Sequence, residues 1–323
     1  MERHHELAAN ARRFAGFADL YDRVRPTPPS TIADAITAYA GGRPAFVVDL
    51  GSGTGLSTRW AAHWAYEVVG VEPSHDMRVR AAHVTREPHA RYLSGWSDDT
   101  GLPDACADVV LAVQALHWME PAGTFAEVAR LLRPGGVFAA IDCDWPPAIG
   151  DAAAEASWGQ ARSTIAVYER RLIAGLAGGA LTAPVRDEEQ LTPVAMPRQS
   201  DDLRPLGDRV PDDDDLVGRL GIASSATIAE GVRYWPKGKH LDRLAASGRF
   251  SHCIELCAAS AEMGDSDRFV ELLRSQGDYQ TLRRHGVDDD VLGVEAFAAD
   301  MLQRLGSTPR SFWFTYRARL AVR

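Results

Sequence analysis

Lysine is nearly missing from this chain. Of 35 Lys and Arg residues only Lys237 and Lys239 are lysine, and the accompanying excess of alanine reads as codon composition before it reads as chemistry. Positive charge is short overall: 44 Asp and Glu leave a formal net charge of −9. A chain of that sign lacks the basic field that draws a phosphate backbone, so nucleic acid is not an expected partner. No apolar run approaches the roughly 18 residues of a membrane span, and the opening MERHHELAANARRF is charged, without the apolar stretch of a signal peptide. His4 and His5 are too few for a metal tract. The four cysteines, Cys106, Cys143, Cys253 and Cys257, form no CxxC pair and have no histidine pair at zinc spacing. They are expected to be buried, reduced thiols of a cytoplasmic protein, with no metal.

What is present is an ordinary globular balance, 46% hydrophobic and 24% charged over 323 residues, enough for one large unit or two. After Pro28-Pro29, Ile32, Ile36 and Tyr39 recur at helical spacing until Gly41-Gly42. Phe46 to Leu50, Val68 to Glu72, Asp108 to Val113 and Val137 to Ile141 are continuous apolar runs, the mark of strands covered on both faces. Helical patterns lie between them: Met77, Ala81 and Val84 before Pro88, then Phe125, Val128 and Leu132 before Arg133-Pro134-Gly135-Gly136. This alternation predicts a parallel sheet with helices on both faces. It breaks after Ile141. Trp158, Ala161, Ile165, Tyr168 and Leu172 form one stripe of a long helix expected to end at Gly178-Gly179. A proline- and acid-rich stretch follows, in which Pro211 and Asp212 to Asp215 read as a solvated loop or helix start. Strand patterns return at Ser251 to Ala258 and Ser311 to Val322.

The strongest chemical signal is Asp49-Leu50-Gly51-Ser52-Gly53-Thr54-Gly55, where an apolar strand runs into alternating glycines and then a helix. Glycine lets backbone approach a ligand with no Cβ in the way, and the helix start offers free N–H groups. A dinucleotide fingerprint needs its last glycine at position 56, which is leucine here. The acidic residue closing the second strand, Glu72, can accept ribose hydroxyls from NAD or another nucleoside.

Asp49 two residues ahead of the first glycine of GxGxG, Glu72, the segment Gly95-Trp96-Ser97-Asp98 with Leu102-Pro103 and Asp108-Val109-Val110, Gln114-Ala115-Leu116-His117-Trp118, and Leu131-Leu132-Arg133-Pro134-Gly135-Gly136 occur in one order. So does Tyr21-Asp22-Arg23-Val24-Arg25-Pro26 at the start. Together they resemble the class I S-adenosylmethionine-dependent methyltransferases. The flavour is that of small-molecule members with an Ala-Leu-His-Trp run, which include trans-aconitate methyltransferase-like proteins. The resemblance implies a Rossmann-like, seven-stranded, mostly parallel sheet with the last strand antiparallel and a helical insertion between strands five and six. On this view residues 1–143 hold the N-terminal helical segment and the cofactor-binding half, 144–249 the insertion as a substrate lid, and 250–323 complete the sheet.

It also implies S-adenosylmethionine as cofactor. Gly51, Ser52, Gly53, Thr54 and Gly55 would cradle it, and Asp49 would face its ammonium or the loop amides. Glu72 and Pro73 would take the ribose, Met77, Ser97 and Asp98 the adenine, and Gln114, Tyr21 and Arg25 the methionine end. Trp118 and Tyr21 are candidates for cation–π contact with the sulfonium. His117, at a strand's carboxyl end, is the candidate general base for a hydroxyl acceptor, and His117, Trp118 and Trp145 the candidate pocket for a small molecule. O-methylation of a carboxylate or hydroxyl is favoured. An NAD-dependent oxidoreductase fits the loop and Glu72 but not Leu56 or the 95–108 segment, and a non-catalytic partner subunit would carry a spoiled glycine loop, whereas this one is intact.

Overall fold

In the computed structural model seven strands form one sheet in the order β3-β2-β1-β4-β5-β9-β8. These are β1 (Phe46–Leu50), β2 (Glu67–Val71), β3 (Ala90–Leu93), β4 (Ala107–Val113), β5 (Leu132–Cys143), β8 (His252–Gly264) and β9 (Arg310–Val322). Residues 8–175, 226–227 and 231–323 are described. His4, His5, Gly178-Gly179 and the acid run at 211–215 lie outside them. The first five strands are parallel, and β9 runs antiparallel to both β5 and β8. β3 has no apolar run of its own because it is an edge strand with no fully buried side chain. A two-stranded ribbon, β6 (Ala226–Thr227) with β7 (Arg233–Tyr234), stands apart.

Apolar residues on both sides of each central strand explain the unbroken runs. Val47 joins a core with Trp60, Ile32, Ile36 and Trp158 on one face, whereas Val48 and Leu50 join Phe125, Val128 and Phe138 on the other. The helices are α1 (Ala18–Val24), α2 (Ser30–Tyr39), α3 (Leu56–Ala62), α4 (His75–Val84), α5 (Pro121–Leu131) and α6 (Ala152–Ile173), followed by α7 (His240–Ala246), α8 (Ser266–Arg274), α9 (Gly277–Arg284) and α10 (Val294–Leu305). α5 starts where Glu120 accepts N–H bonds from Ala122 and Gly123 and Pro121 takes the first turn.

Four expectations change. Tyr39 is exposed and stacks on His252 instead of joining the core stripe. α6 ends at Ile173, with Ala174 as its cap and Gly175 at φ 74°, before the expected glycine pair. Of the cysteines, all free, Cys143 is buried, Cys106 and Cys253 are half-buried, and Cys257 is exposed, because β8 is an edge strand with one open face. A second helical run, α8 to α10, separates β8 from β9, and α6 packs against α9 and α10. No helix among the described residues is long and apolar enough to cross a membrane.

Candidate functional site

The sheet order reverses between β1 and β4, and open α/β sheets leave a crevice at the carboxyl ends beside such a switch point. A cleft of about 1120 Å³, counted to its open mouth, lies there. The turn after β1 forms one wall. Gly51 and Ser52 donate N–H bonds to the carbonyl of Val71, which ties the turn to the end of β2. Gly51, Gly53 and Gly55 all have positive φ, but for different surroundings. A Cβ on Gly51 would press on Met119 and Ala115, and one on Gly55 on the Tyr92 hydroxyl, so these two serve close packing. A Cβ on Gly53 would meet no atom of the described residues within 4 Å. Gly53 lines the cleft, and Gly55 does not.

Glu72 follows β2 and carries the only carboxylate lining the cleft among the described residues. Its Oε2 accepts the Gly53 N–H at 3.0 Å and its Oε1 the Ser74 N–H at 2.8 Å. Burial raises its pKa against those two donors. Ser52, Thr54, Pro73, Met77, Ser97 and Gln114 share the wall, as do Tyr21, Arg25, Trp118 and Trp145. The buried hydroxyls of Ser52 and Thr54 have no hydrogen-bond partner among the described residues. Trp96, from the 95–98 segment, also lines the cleft, as do Phe14, Asn10 and Met119, which the sequence did not single out.

Three expected cofactor residues stand off the wall. Gly55 is one. Asp49 is fully buried beneath the turn, where its Oδ2 accepts bonds from Ser57 at 2.7 Å and Thr58 at 2.6 Å. Burial pushes its pKa up to about 6 despite both donors, and Oδ1 has no hydrogen-bond partner among the described residues. Asp98 packs beside Gly123 at the start of α5, and its neighbour Ser97 takes the place on the wall.

His117 is not on the wall either. It lies behind Trp118, 5% exposed, with its Nδ1 3.5 Å from Asp142 Oδ1. His240 Nε2 is 3.7 Å from Asp142 Oδ2. Burial, then the positive charge of Lys237, holds His117 down to about 4, and burial holds His240 down to about 3. Burial works to raise Asp142, but Lys237 and the two histidines outweigh it and hold that carboxyl well below its usual range. Lys237 Nζ sits 3.2 Å and Arg319 Nη1 2.7 Å from the same carboxylate. The two histidines and Asp142 lie within 4.8 Å of one another, a spacing a metal would accept. The two cations already neutralise Asp142, which opposes a further dication there.

This cluster ties distant pieces of chain to the cleft. Lys237 Nζ also donates to Gln114 Oε1 at 2.6 Å, and Gln114 holds φ 53°, a left-handed conformation uncommon outside glycine. The Trp235 N–H donates to the His117 carbonyl. Asn10 Nδ2 donates to the carbonyls of Trp118 and Arg233, and its Oδ1 accepts the Arg233 N–H.

Residues 48–140 match the family described as a methyltransferase domain. The chain is 38% identical over 125 residues to an uncharacterized methyltransferase of Mycobacterium tuberculosis, covering 38% of this chain and 49% of that protein. It is 31% identical over 130 residues to a malonyl-[acyl-carrier protein] O-methyltransferase of Pectobacterium atrosepticum, covering 39% of this chain and 49% of that one. The chain thus spans about half the length of these curated relatives. Among solved structures, one assigned as a type II methyltransferase from Anaeromyxobacter dehalogenans superimposes with a TM-score of 0.50 at 21% identity, covering 92% of this chain and 97% of that one, and so shares the fold.

Proposed function

We propose that the chain acts as a class I S-adenosylmethionine-dependent methyltransferase, a reading its match to a methyltransferase domain supports, and that it methylates an oxygen of a small molecule bound in the same cleft as the cofactor, in the cytoplasm. The observation that carries this reading is the Gly53 turn. Its backbone faces the cleft with room where a Cβ would stand, and its N–H is shared with the Glu72 carboxylate. That cradle suits the adenosyl group: Glu72 and Pro73 at the ribose, Met77, Trp96 and Ser97 along the adenine, and the partnerless hydroxyls of Ser52 and Thr54 available to polar atoms. Asp49 acts from beneath the turn, holding the first residues of α3 through Ser57 and Thr58.

When bound, the cofactor supplies an electrophilic methyl group on a sulfonium. The protein's part is then to align the acceptor and exclude water, from which effective molarities of about 10⁵ M or more are available. Tyr21, Trp118 and Trp145 line the acceptor end of the cleft, and the face of an aromatic ring attracts a cation. The acceptor end favours a carboxylate over a hydroxyl. A hydroxyl needs a base, but His117 is off the wall, Glu72 lies at the far side, and burial pushes the Cys143 thiol up to about 12. An ionised carboxylate needs none. The relative from Pectobacterium, an O-methyltransferase by name, supports the same choice of atom. A panel of small acids with their alcohol and amine counterparts, assayed for S-adenosylhomocysteine release, tests this. Turnover confined to acids is expected, and turnover of alcohols or amines alone would refute it.

A further inference from the structure

Arg25 lies at the end of the cleft away from Glu72, with its guanidinium 4.8 Å from the ring centre of Tyr21 and 4.8 Å from that of Trp145. Trp145 follows the end of β5, whereas Glu72 follows β2, and β1 and β4 lie between those two strands in the sheet. Adjacent strands are about 4.8 Å apart, so roughly 14 Å separates the two ends. The charged head is fixed from behind: Nε donates to Ser275 Oγ at 2.9 Å and Nη2 to the Ser275 carbonyl at 2.8 Å. Ser275 is itself fully buried and bonded to the Leu272 carbonyl. Nη1 makes no hydrogen bond among the described residues.

Nor does Arg25 pair with any carboxylate among the described residues. Asp278, whose field reaches it, is paired with Arg162 at 2.6 Å, and Glu169 is paired with Arg13 at 3.2 Å. Removing a guanidinium from water without a counter-ion is costly, and burial lowers the pKa of Arg25 accordingly. The side chain is surrounded by protein, yet it keeps exposed surface because the cleft reaches it.

We infer that Arg25 is the counter-ion for a carboxylate bound at the aromatic end of the cleft, and that this carboxylate is the acceptor's. The inference rests on the methyl-transfer reading only for the word acceptor; the anion site itself rests on Arg25. Two carboxylates could supply the charge, the acceptor's and the one on the cofactor's own methionine end. The strand order favours the former, because Trp145, against which Arg25 stacks, follows β5, beyond the ends of β1 and β4.

The test uses benzoate and hexanoate as probes, with benzamide and hexanamide as their neutral counterparts. Each is titrated into the full chain with and without S-adenosylhomocysteine. The wild-type protein is expected to hold each acid at least about 10-fold more tightly than its amide, the lower end of what a charge-assisted hydrogen bond supplies. Arg25→Gln should erase that preference, Arg25→Lys should retain part of it, and both should bind S-adenosylhomocysteine within about threefold of wild type. Thermal unfolding of both variants checks that they fold, and Ser275→Ala, which removes the Nε bond but keeps the one from Nη2 to the backbone carbonyl, should weaken the preference in part. Equal binding of acid and amide by wild type would overturn the inference. So would an Arg25→Gln protein that loses S-adenosylhomocysteine affinity as steeply as acid affinity, because the guanidinium would then serve the cofactor. A wild-type protein that takes up no S-adenosylhomocysteine, yet prefers acids through Arg25, would refute the methyl-transfer reading alone.

Discussion

The two ends of the cleft are built in different ways. The β1–β2 end comes mostly from one short stretch of chain, residues 49 to 77, to which Trp96 and Ser97 add, and its bonds are local: Asp49 reaches Ser57 and Thr58, and Glu72 reaches Gly53 and Ser74. The far end is assembled from pieces that meet only in three dimensions. Asn10 bonds Trp118 and Arg233, Arg25 bonds Ser275, and Lys237 bonds Gln114 and Asp142. The near end puts bare backbone and one carboxylate on the cleft, whereas the far end brings buried cations, aromatic rings and two neutral histidines. A constant group such as an adenosyl moiety can be met by local geometry. A site that must choose its acceptor recruits charge and shape from wherever the chain can supply them.

The largest effect is expected at the near end. Gly53→Val should abolish S-adenosylhomocysteine binding in titration calorimetry while the protein still folds, with its stability in thermal unfolding lowered by about 1–3 kcal/mol of backbone strain, because the new side chain enters the cleft and its Cβ meets no atom of the described residues. That strain comes from the residue's φ of 54°. Undiminished affinity in a folded variant would mean that the turn does not hold the cofactor.

Acid should next separate the two ends, since their buried groups titrate in opposite senses. His117 and His240 fall from 6.5 to about 4 and about 3 on folding, so the unfolded chain takes up their protons first. Their contribution to stability is complete above pH 6.5 and is lost as pH falls toward 4, on the order of 3 kcal/mol for His117 alone. Asp49 rises from 3.8 to about 6, so its contribution runs the other way, and stability falls by up to about 3 kcal/mol as pH climbs through that range. Urea midpoints between pH 4.5 and 7.5 should therefore drop less steeply on acidification in His117→Gln/His240→Gln than in wild type. They should drop more steeply in Asp49→Asn. Parallel curves for all three proteins would remove the contrast.

Smaller effects should sort by end as well. Glu72→Ala leaves the Gly53 and Ser74 N–H groups without their partner and should weaken cofactor binding by about 1.5–3 kcal/mol in calorimetry, the scale of bonds to a charged group. An unchanged dissociation constant would put the ribose elsewhere. Asn10→Ala cuts three bonds that join the N-terminal segment to Trp118 and to the Arg233 strand. It should cost about 1–2 kcal/mol of stability and raise the KM for the acceptor, with cofactor affinity preserved. A cofactor affinity that falls instead would show that the two ends are not separable.

What could be read from the sequence follows the same division. The strand runs at 46–50, 68–72, 108–113 and 137–141 declare a sheet buried on both faces, and the glycine turn with Glu72 declares the near end, because each signal is contained in a few consecutive residues. Asp49 and Asp98 could be located but not aimed. Whether a carboxylate faces the cleft or the helix beneath it depends on side-chain direction, and Ser57 and Thr58 capture Asp49. His117 stands at the expected strand end, yet Asp142, brought alongside by β5, lies next to it behind the Trp118 ring. Nothing in the spacing of His117, Asp142, Lys237 and His240 announces that they meet. The one faint signal was that Lys237 is among only two lysines in the chain.

The most direct measurement of the central claim is a crystal structure of the protein with S-adenosylhomocysteine. The account expects the ribose hydroxyls on the Glu72 carboxylate, the adenine along Met77 and Trp96, the backbone of Gly53 against the ligand, and the sulfur directed toward Trp118, with Arg25 free of the ligand's carboxylate. A ligand lying in the reverse direction, with its adenine against Trp118 and Trp145 and nothing on Glu72, would contradict it.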